Sequence, residues 1–217
     1  MSRAVAISSL VLLALGPLAA FLGVVPPLVG LIIFSLGGLA GLIAVLWGMI
    51  AWLRGRRRRD LITVAMGLPA TVMMLLPLFS ASSYPRINDI TSDLDDPPAL
   101  SQAPEYPDEF KPLVAAGYPD LKTLAVADAP AEIYKTALSL ARARDDWTVT
   151  AVDEAGMTFE GTAETRLFRF KDDFRVRVRA APDGAVVDMR SRSRDGKGDL
   201  GVNARRIREF FAALEAA

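Results

Sequence analysis

The sequence predicts three N-terminal transmembrane α-helices followed by a soluble α+β domain, in which a helix, a four-stranded antiparallel sheet and a second helix form two layers. Three observations predict it. The chain of 217 residues carries no Asp, Glu, Lys or Arg from Ala4 to Leu53 and none from Leu61 to Pro85, whereas charge is dense from there to the end. Beyond Pro130, apolar residues recur at helical spacing in two stretches and alternate with polar ones in four short runs between them. Cysteine and histidine are both absent, which removes disulfides, thiolate and imidazole chemistry, and the usual zinc ligands.

The first charge-free block is too long for one span and right for two, since a bilayer core takes about 20 apolar residues as a helix. Pro26-Pro27 breaks it, so the helices are expected at about Val5–Val25 and Leu28–Leu53, with a third at Leu61–Phe79. Residues 1–79 are therefore the membrane anchor and the lipid bilayer is the first expected partner. Between the second and third spans lie five arginines in the loop Arg54–Arg59. A basic loop beside two membrane ends stays cytoplasmic, which puts the N-terminus inside and everything after Phe79 outside. In a bacterial cell this is a multi-pass inner-membrane protein with a periplasmic or otherwise extracytoplasmic domain. A competing reading takes Met1–Ala20 as a cleaved signal peptide, which leaves the outside domain in the same place. No charge interrupts any span, so an ion or proton pathway is not indicated. Gly37, Gly38 and Gly41 allow close helix contact, either within the bundle or at a dimer face.

Segment 80–130 holds seven prolines from Pro85 to Pro119 and nine acidic residues against three basic ones, and is expected to be an extended spacer or surface strap. Residues 131–217 hold the α+β fold. Its first helix is expected at Ala129–Arg144, capped by Asp128, with Ile133, Ala137, Leu140 and Ala141 inward. Two hairpins follow, Trp147–Val152 with Met157–Thr165, and Phe174–Ala180 with Val186–Ser193. Period-two alternation turns Trp147, Val149, Ala151, Met157, Phe159 and Ala163 to the core. Pairing Ala181 with Val186 sets Val178 against Met189, Arg179 against Asp188 and Asp173 against Arg194, and leaves Arg177 facing Arg190 and Arg175 facing Arg192. The last helix is expected at Leu200–Glu215 with Asp199 as its cap, and Asn203 falls inside its apolar stripe of Leu200, Ala204, Ile207, Phe210, Phe211 and Leu214. A buried amide there must bond the strand or the preceding loop.

The ordered motifs Ile87–Asp93, Asp96–Ala99, Phe168–Asp173, Asp188–Arg194 and Gly198–Arg208 resemble the uncharacterised bacterial family catalogued as domain of unknown function 1499, over about residues 85–214. Its motif positions fall here on Trp147, Thr165, Asp172, Asp173, Arg190, Ser191, Ser193, Arg194, Asp199 and Asn203. The resemblance implies a soluble domain, often tethered by N-terminal helices, and no established activity. It also draws the acidic Pro-rich stretch into the domain.

Three places can carry function. Arg175, Arg177, Arg190 and Arg192 form an arginine face that an anion could bridge, unless Glu160 and Glu164 already neutralise it. Ser193–Gly201 leads into a helix start, where Arg194 and Lys197 could assist an anion unless Asp199 fills that end. Asp172 and Asp173 could act as paired carboxylates, although Asp173 is expected to pair with Arg194 and Asp172 with a turn amide. No catalytic residue, metal or cofactor is indicated, and a near-neutral domain argues against nucleic acid. The expected function is a membrane-anchored envelope protein whose domain binds a partner protein or an anionic envelope component. An aspartate-dependent hydrolase and a purely structural envelope protein are the alternatives.

Overall fold

A computed structural model describes residues 2–217. It divides into two compact units, residues 1–83 with 166–169, and residues 84–165 with 170–217.

The first unit has three helices, α1 (Ser2–Phe21), α2 (Pro27–Gly55) and α3 (Arg58–Ala81), each long and apolar enough to cross a membrane. α1 ends four residues before the expected Val25, because Leu22–Val25 form the turn, with Gly23 at φ 70°, that brings Pro26 to the N-cap of α2. The arginine run is also shorter as a loop than expected. Arg56 adopts the left-handed conformation that closes α2, and α3 already begins at Arg58. Pro17, Pro69 and Pro77 lie inside helices without ending them, as apolar surroundings and neighbouring helices permit. α2 packs against both other helices. A side chain at Gly37 would collide with the backbone of Leu13 and Ser9 in α1, and one at Gly38 with Met74 in α3. These glycines serve contacts inside the bundle.

The second unit is built on a six-stranded sheet where four strands were expected. Strand order is β1 (Asp89–Thr91), β6 (Gly184–Ser193), β5 (Lys171–Ala181), β4 (Thr158–Glu164) and β3 (Trp147–Asp153), and β2 (Leu124–Val126) also pairs with β6. All pairings are antiparallel. The two additional strands come from the Pro-rich segment, which also folds into α4 (Lys111–Gly117) and buries Ile87, Ile90, Val114, Tyr118 and Leu121 in the core. It is part of the domain and not a spacer, because these five apolar side chains have a core to enter.

On one face, α5 (Pro130–Ala143) and α6 (Val202–Glu215) bury Ile133, Ala137, Leu138, Ile207 and Phe210 against Phe159, Phe174, Val176, Val178, Val187 and Met189. Trp147 stacks there between Phe174 and Phe210, at ring-centroid separations of 4.3 and 5.4 Å. Burying one such ring contributes about 2–3 kcal/mol. Neither helix starts as the sequence suggests. α5 has Ala129 at its N-cap with no side-chain cap, so Asp128 does not cap it, and α6 begins at Val202 behind two left-handed residues, Leu200 and Gly201. Leu200 is consequently exposed instead of joining the buried stripe.

Register in the second hairpin differs by two residues from that expected. Ala181 pairs with Gly184 across a two-residue Pro182-Asp183 loop, so Val176 opposes Met189, Arg177 opposes Asp188 and Arg175 opposes Arg190. The shift preserves the faces, because side chains alternate with period two. In the first hairpin a bulge between Val149 and Ala151 reverses the alternation, and Ala151 pairs with Glu160 on the polar face.

Candidate functional site

The sheet's second face is a layer of charge. Arg175, Arg177, Arg179, Arg190 and Arg192 alternate along β5 and β6 with the buried apolar residues, so the strand period turns them all away from the helices. Residues 92–106 cross this face as a strap. Arg190 is only 1% exposed and grips Asp89 through two bonds of 2.9 and 2.7 Å. It also donates to the carbonyls of Pro98 and Pro104, and the Tyr106 ring lies 5.2 Å from its guanidinium carbon. Arg177 binds Asp188, Asp93 and Asp96, and Arg179 binds Asp188 and Asp93. Arg175 donates to Glu160 and to the carbonyl of Ala99, while Glu160 accepts from the Ser101 amide and hydroxyl. Arg192 lies 3.7 Å from Asp89.

The like-charge pair Arg175 and Arg190 is therefore resolved from within. Glu160 supplies part of the counter-charge, as expected, and Asp89, Asp93, Asp96 and Asp188 supply the rest. Asp93 is also the strap's pivot, since one carboxylate oxygen accepts from the amides of Asp95 and Asp96 while the other meets Arg177 and Arg179. Burial pushes the Asp89 carboxyl up, and the Arg190 fork pulls it back. Burial likewise pushes the Tyr106 phenol above its ordinary range.

A second polar cluster lies on the helix-covered face, where the ends of β5 and β6 meet α6. Asn203 sits in the apolar stripe as expected. Its amide nitrogen donates to the Ser193 hydroxyl at 3.0 Å and to the Asn88 carbonyl at 3.3 Å, and its oxygen accepts from the Ser191 hydroxyl at 2.7 Å. Arg206 donates to Ser191, Asn203 and Asp172. Asp172 thus pairs with a helix guanidinium instead of a turn amide, because its strand position turns it inward under α6. Asp173, its neighbour, points to the other face and binds Arg194 bidentately at 2.6 to 3.0 Å, as expected from the sequence, although Arg192 is the residue directly opposite it. That pair holds the Arg194 guanidinium above its usual range.

The loop after β6 is closed by Asn88 and by its own Asp199. Asn88 donates to the carbonyls of Ser193 and Gly196, and Asp199 accepts from the amides of Gly201 and Asn203, occupying the helix start where an anion could otherwise sit. Lys197 is exposed in this loop. Thr165, at the far end of β4, accepts from the Phe170 amide, and its own amide donates to the Phe170 carbonyl.

Residues 89–214 match the model of a family described as protein of unknown function (DUF1499). The chain belongs to this family. No curated protein matches the chain. In this chain the residues at which the sequence resembles the family's motifs have individual tasks. Asp172, Ser191, Ser193, Asp199 and Asn203 rivet α6 to the sheet, Arg190 holds the strap, Thr165 closes a loop, and Trp147 fills the core. Among the described residues no group of three acidic side chains is arranged to hold a metal ion.

Several of these residues escape a reading of the sequence. Asp89 and Asp93 join the arginine face across separations of up to about a hundred residues, and no local pattern announces that, whereas Asp188 is legible in the sequence as a partner of Arg179. Arg206 had a signal, since it lies three residues after Asn203 and so on the same helix face.

Proposed function

We propose that this protein is a membrane-anchored envelope protein whose folded domain works by recognising a partner protein, without chemistry of its own. One observation carries the reading. The carboxylates and arginines that could have formed an active site or an anion site are bound to each other on both sheet faces, while a groove of about 620 Å³ between α5 and the β3–β4 turn is open. Tyr134, Leu138 and Met157 give it an apolar lining, and Lys135, Arg142 and Glu154 add charge of both signs. An apolar floor with a mixed-charge rim suits a protein surface better than a small anion. The five arginines of the α2–α3 region support a cytoplasmic position for that end, with the domain in the periplasm or outside.

The absence of cysteine makes single-cysteine probes specific. A photo-crosslinker on Ser139→Cys, at the groove, is expected to give a discrete adduct in native membranes that Lys135→Glu with Arg142→Glu abolishes. An adduct pattern equal to that of Asp183→Cys, on the distant β5–β6 turn, would refute the docking role. A membrane-impermeant maleimide should label Asp183→Cys in intact cells and Arg57→Cys only after permeabilisation, and the reverse pattern would invert the topology.

A further inference from the structure

Resting on the reading of the α5 groove as a docking site, we propose that its partner enters as an extended segment that adds a seventh strand to the open edge of β3, with basic residues at the two ends of that segment. The two edges of the sheet differ. On one side β1 and β2 are three residues each, and Pro85, Pro119 and Pro130 stand close to their ends. On the other side β3 runs for seven residues, Trp147–Asp153, and pairs with β4 alone. Natural edges are blunted by proline, charge or short length, and Trp147–Val152 has none of these; its one irregularity is the bulge at Thr150. Among the described residues, nothing outside the sheet bonds to the backbone of Thr148–Val152. The strand therefore offers a row of donors and acceptors that matches an extended backbone.

The groove lies beside this edge. At about 3.6 residues per turn, the flank of α5 that turns Ile133 and Thr136 toward Leu214 of α6 is the reverse of the flank that lines the groove with Leu138 and Arg142. Val152 pairs with Phe159, whose side chain faces the helices, and is nevertheless 39% exposed. Apolar side chains on the helix side of an added strand thus rest on Val152, Leu138 and Met157. The Tyr134 hydroxyl donates to the Thr158 carbonyl at 3.3 Å and fixes the floor beneath them.

Charge selects the occupant. Asp145, Asp153 and Glu154 are exposed at the ends of the edge, whereas Arg144 is held by Asp146 at 3.1 Å. Antiparallel pairing with a second copy of β3 brings acids together: a two-fold axis at Val149 sets Asp145 against Asp153, and one at Thr150 sets Asp146 against Glu154. The same carboxylates favour lysine or arginine on a segment of a different protein. Asp145 and Asp153 lie roughly 26 Å apart along an extended strand, so the two basic residues stand about eight positions apart. Lys135 and Arg142 are on the α5 rim of the groove, away from this ladder.

The test titrates the full chain in a neutral detergent against a fluorescent peptide, Lys-Val-Ser-Val-Ser-Val-Ser-Val-Lys, and reads its anisotropy. This peptide should bind at least about fivefold more tightly than its counterpart with glutamate at both ends. Asp145→Lys with Glu154→Lys, at exposed positions, should reverse that preference. Two further counterparts are N-methylated at the serines or at the valines. Successive backbone donors of a strand point to opposite edges, so one set should abolish binding and the other should retain it. Equal binding of both methylated peptides overturns strand addition, as does a preference for the glutamate peptide or the absence of binding up to about 1 mM. If the Ser139→Cys adduct persists in native membranes after such a result, the groove remains a docking site and strand addition alone falls; if the adduct is also absent, both fall.

Discussion

The two faces of the sheet solve the same problem with opposite chemistry. Toward α5 and α6, strand residues such as Phe174, Val176, Val187 and Met189 are buried by helices with matching apolar stripes. Toward the strap, Arg175, Arg177 and Arg190 are covered by a segment rich in proline and aspartate that has no regular structure over most of its length. Apolar packing needs only shape and is read off a repeating pattern. A charged layer covered by a strap needs each guanidinium to find named acceptors, so it is specific but leaves little trace in local sequence. The helix-covered face borrows the second strategy at one point, where Arg206, Asp172, Asn203 and Ser191 fix the start of α6.

The largest expected effect comes from the strap face. Arg190→Ala leaves Asp89 buried without its partner and frees the carbonyls of Pro98 and Pro104, and should lower stability by about 3–5 kcal/mol in denaturant unfolding of the full chain in detergent. A loss below 1 kcal/mol would show that the strap is decoration. Next, Arg206→Ala should cost about 3 kcal/mol, because Asp172 stays buried and unpaired beneath α6. If it costs no more than a surface substitution, the equivalence drawn between the two faces fails. Smaller again is Arg194→Ala, whose ion pair with Asp173 is 42% exposed on the arginine side and should be worth about 0.5–1 kcal/mol, shrinking in high salt.

Smallest is Asp120→Asn. The Arg208 hydrogen bond holds the Asp120 carboxyl below its ordinary value of 3.8. A folded-state value below the unfolded one stabilises above the unfolded value and loses that contribution as pH falls through the folded value. The variant should therefore approach the parent as pH falls through the folded-state value and fall short of it by at most about 0.5 kcal/mol at neutral pH. A difference that grows on acidification would reverse the sign of the assignment.

Much of this architecture is legible from residues alone. The charge-free blocks announce three apolar helices, and period-two alternation assigns Trp147, Phe159 and Ala163 to the core, although Ala151, expected with them, is exposed. Asn203 is legible as a buried amide because it interrupts an apolar stripe. What is hidden has a physical cause in each case. A proline-rich acidic stretch has no periodicity, so nothing in it signals that Asp89–Thr91 and Leu124–Val126 become strands on β6. The bulge between Val149 and Ala151 lies on a strand without glycine, and its mark in the sequence is across the ladder, at Gly161. Two counter-charges of the arginine face, Asp93 and Asp96, lie in the strap, far along the chain, where composition alone reads as solvated spacer.

The central claim is that the acidic strap is the cover of the sheet's charged face. Its most direct test is thiol accessibility in this cysteine-free chain, comparing Leu100→Cys, at a strap position that is 6% exposed, with Asp95→Cys, at an exposed strap position. If the strap is closed, Leu100→Cys reacts with a soluble maleimide at least about tenfold more slowly than Asp95→Cys under native conditions, and the two become equal on unfolding. Equal rates in the native protein would contradict the claim and return residues 92–106 to the status of a spacer.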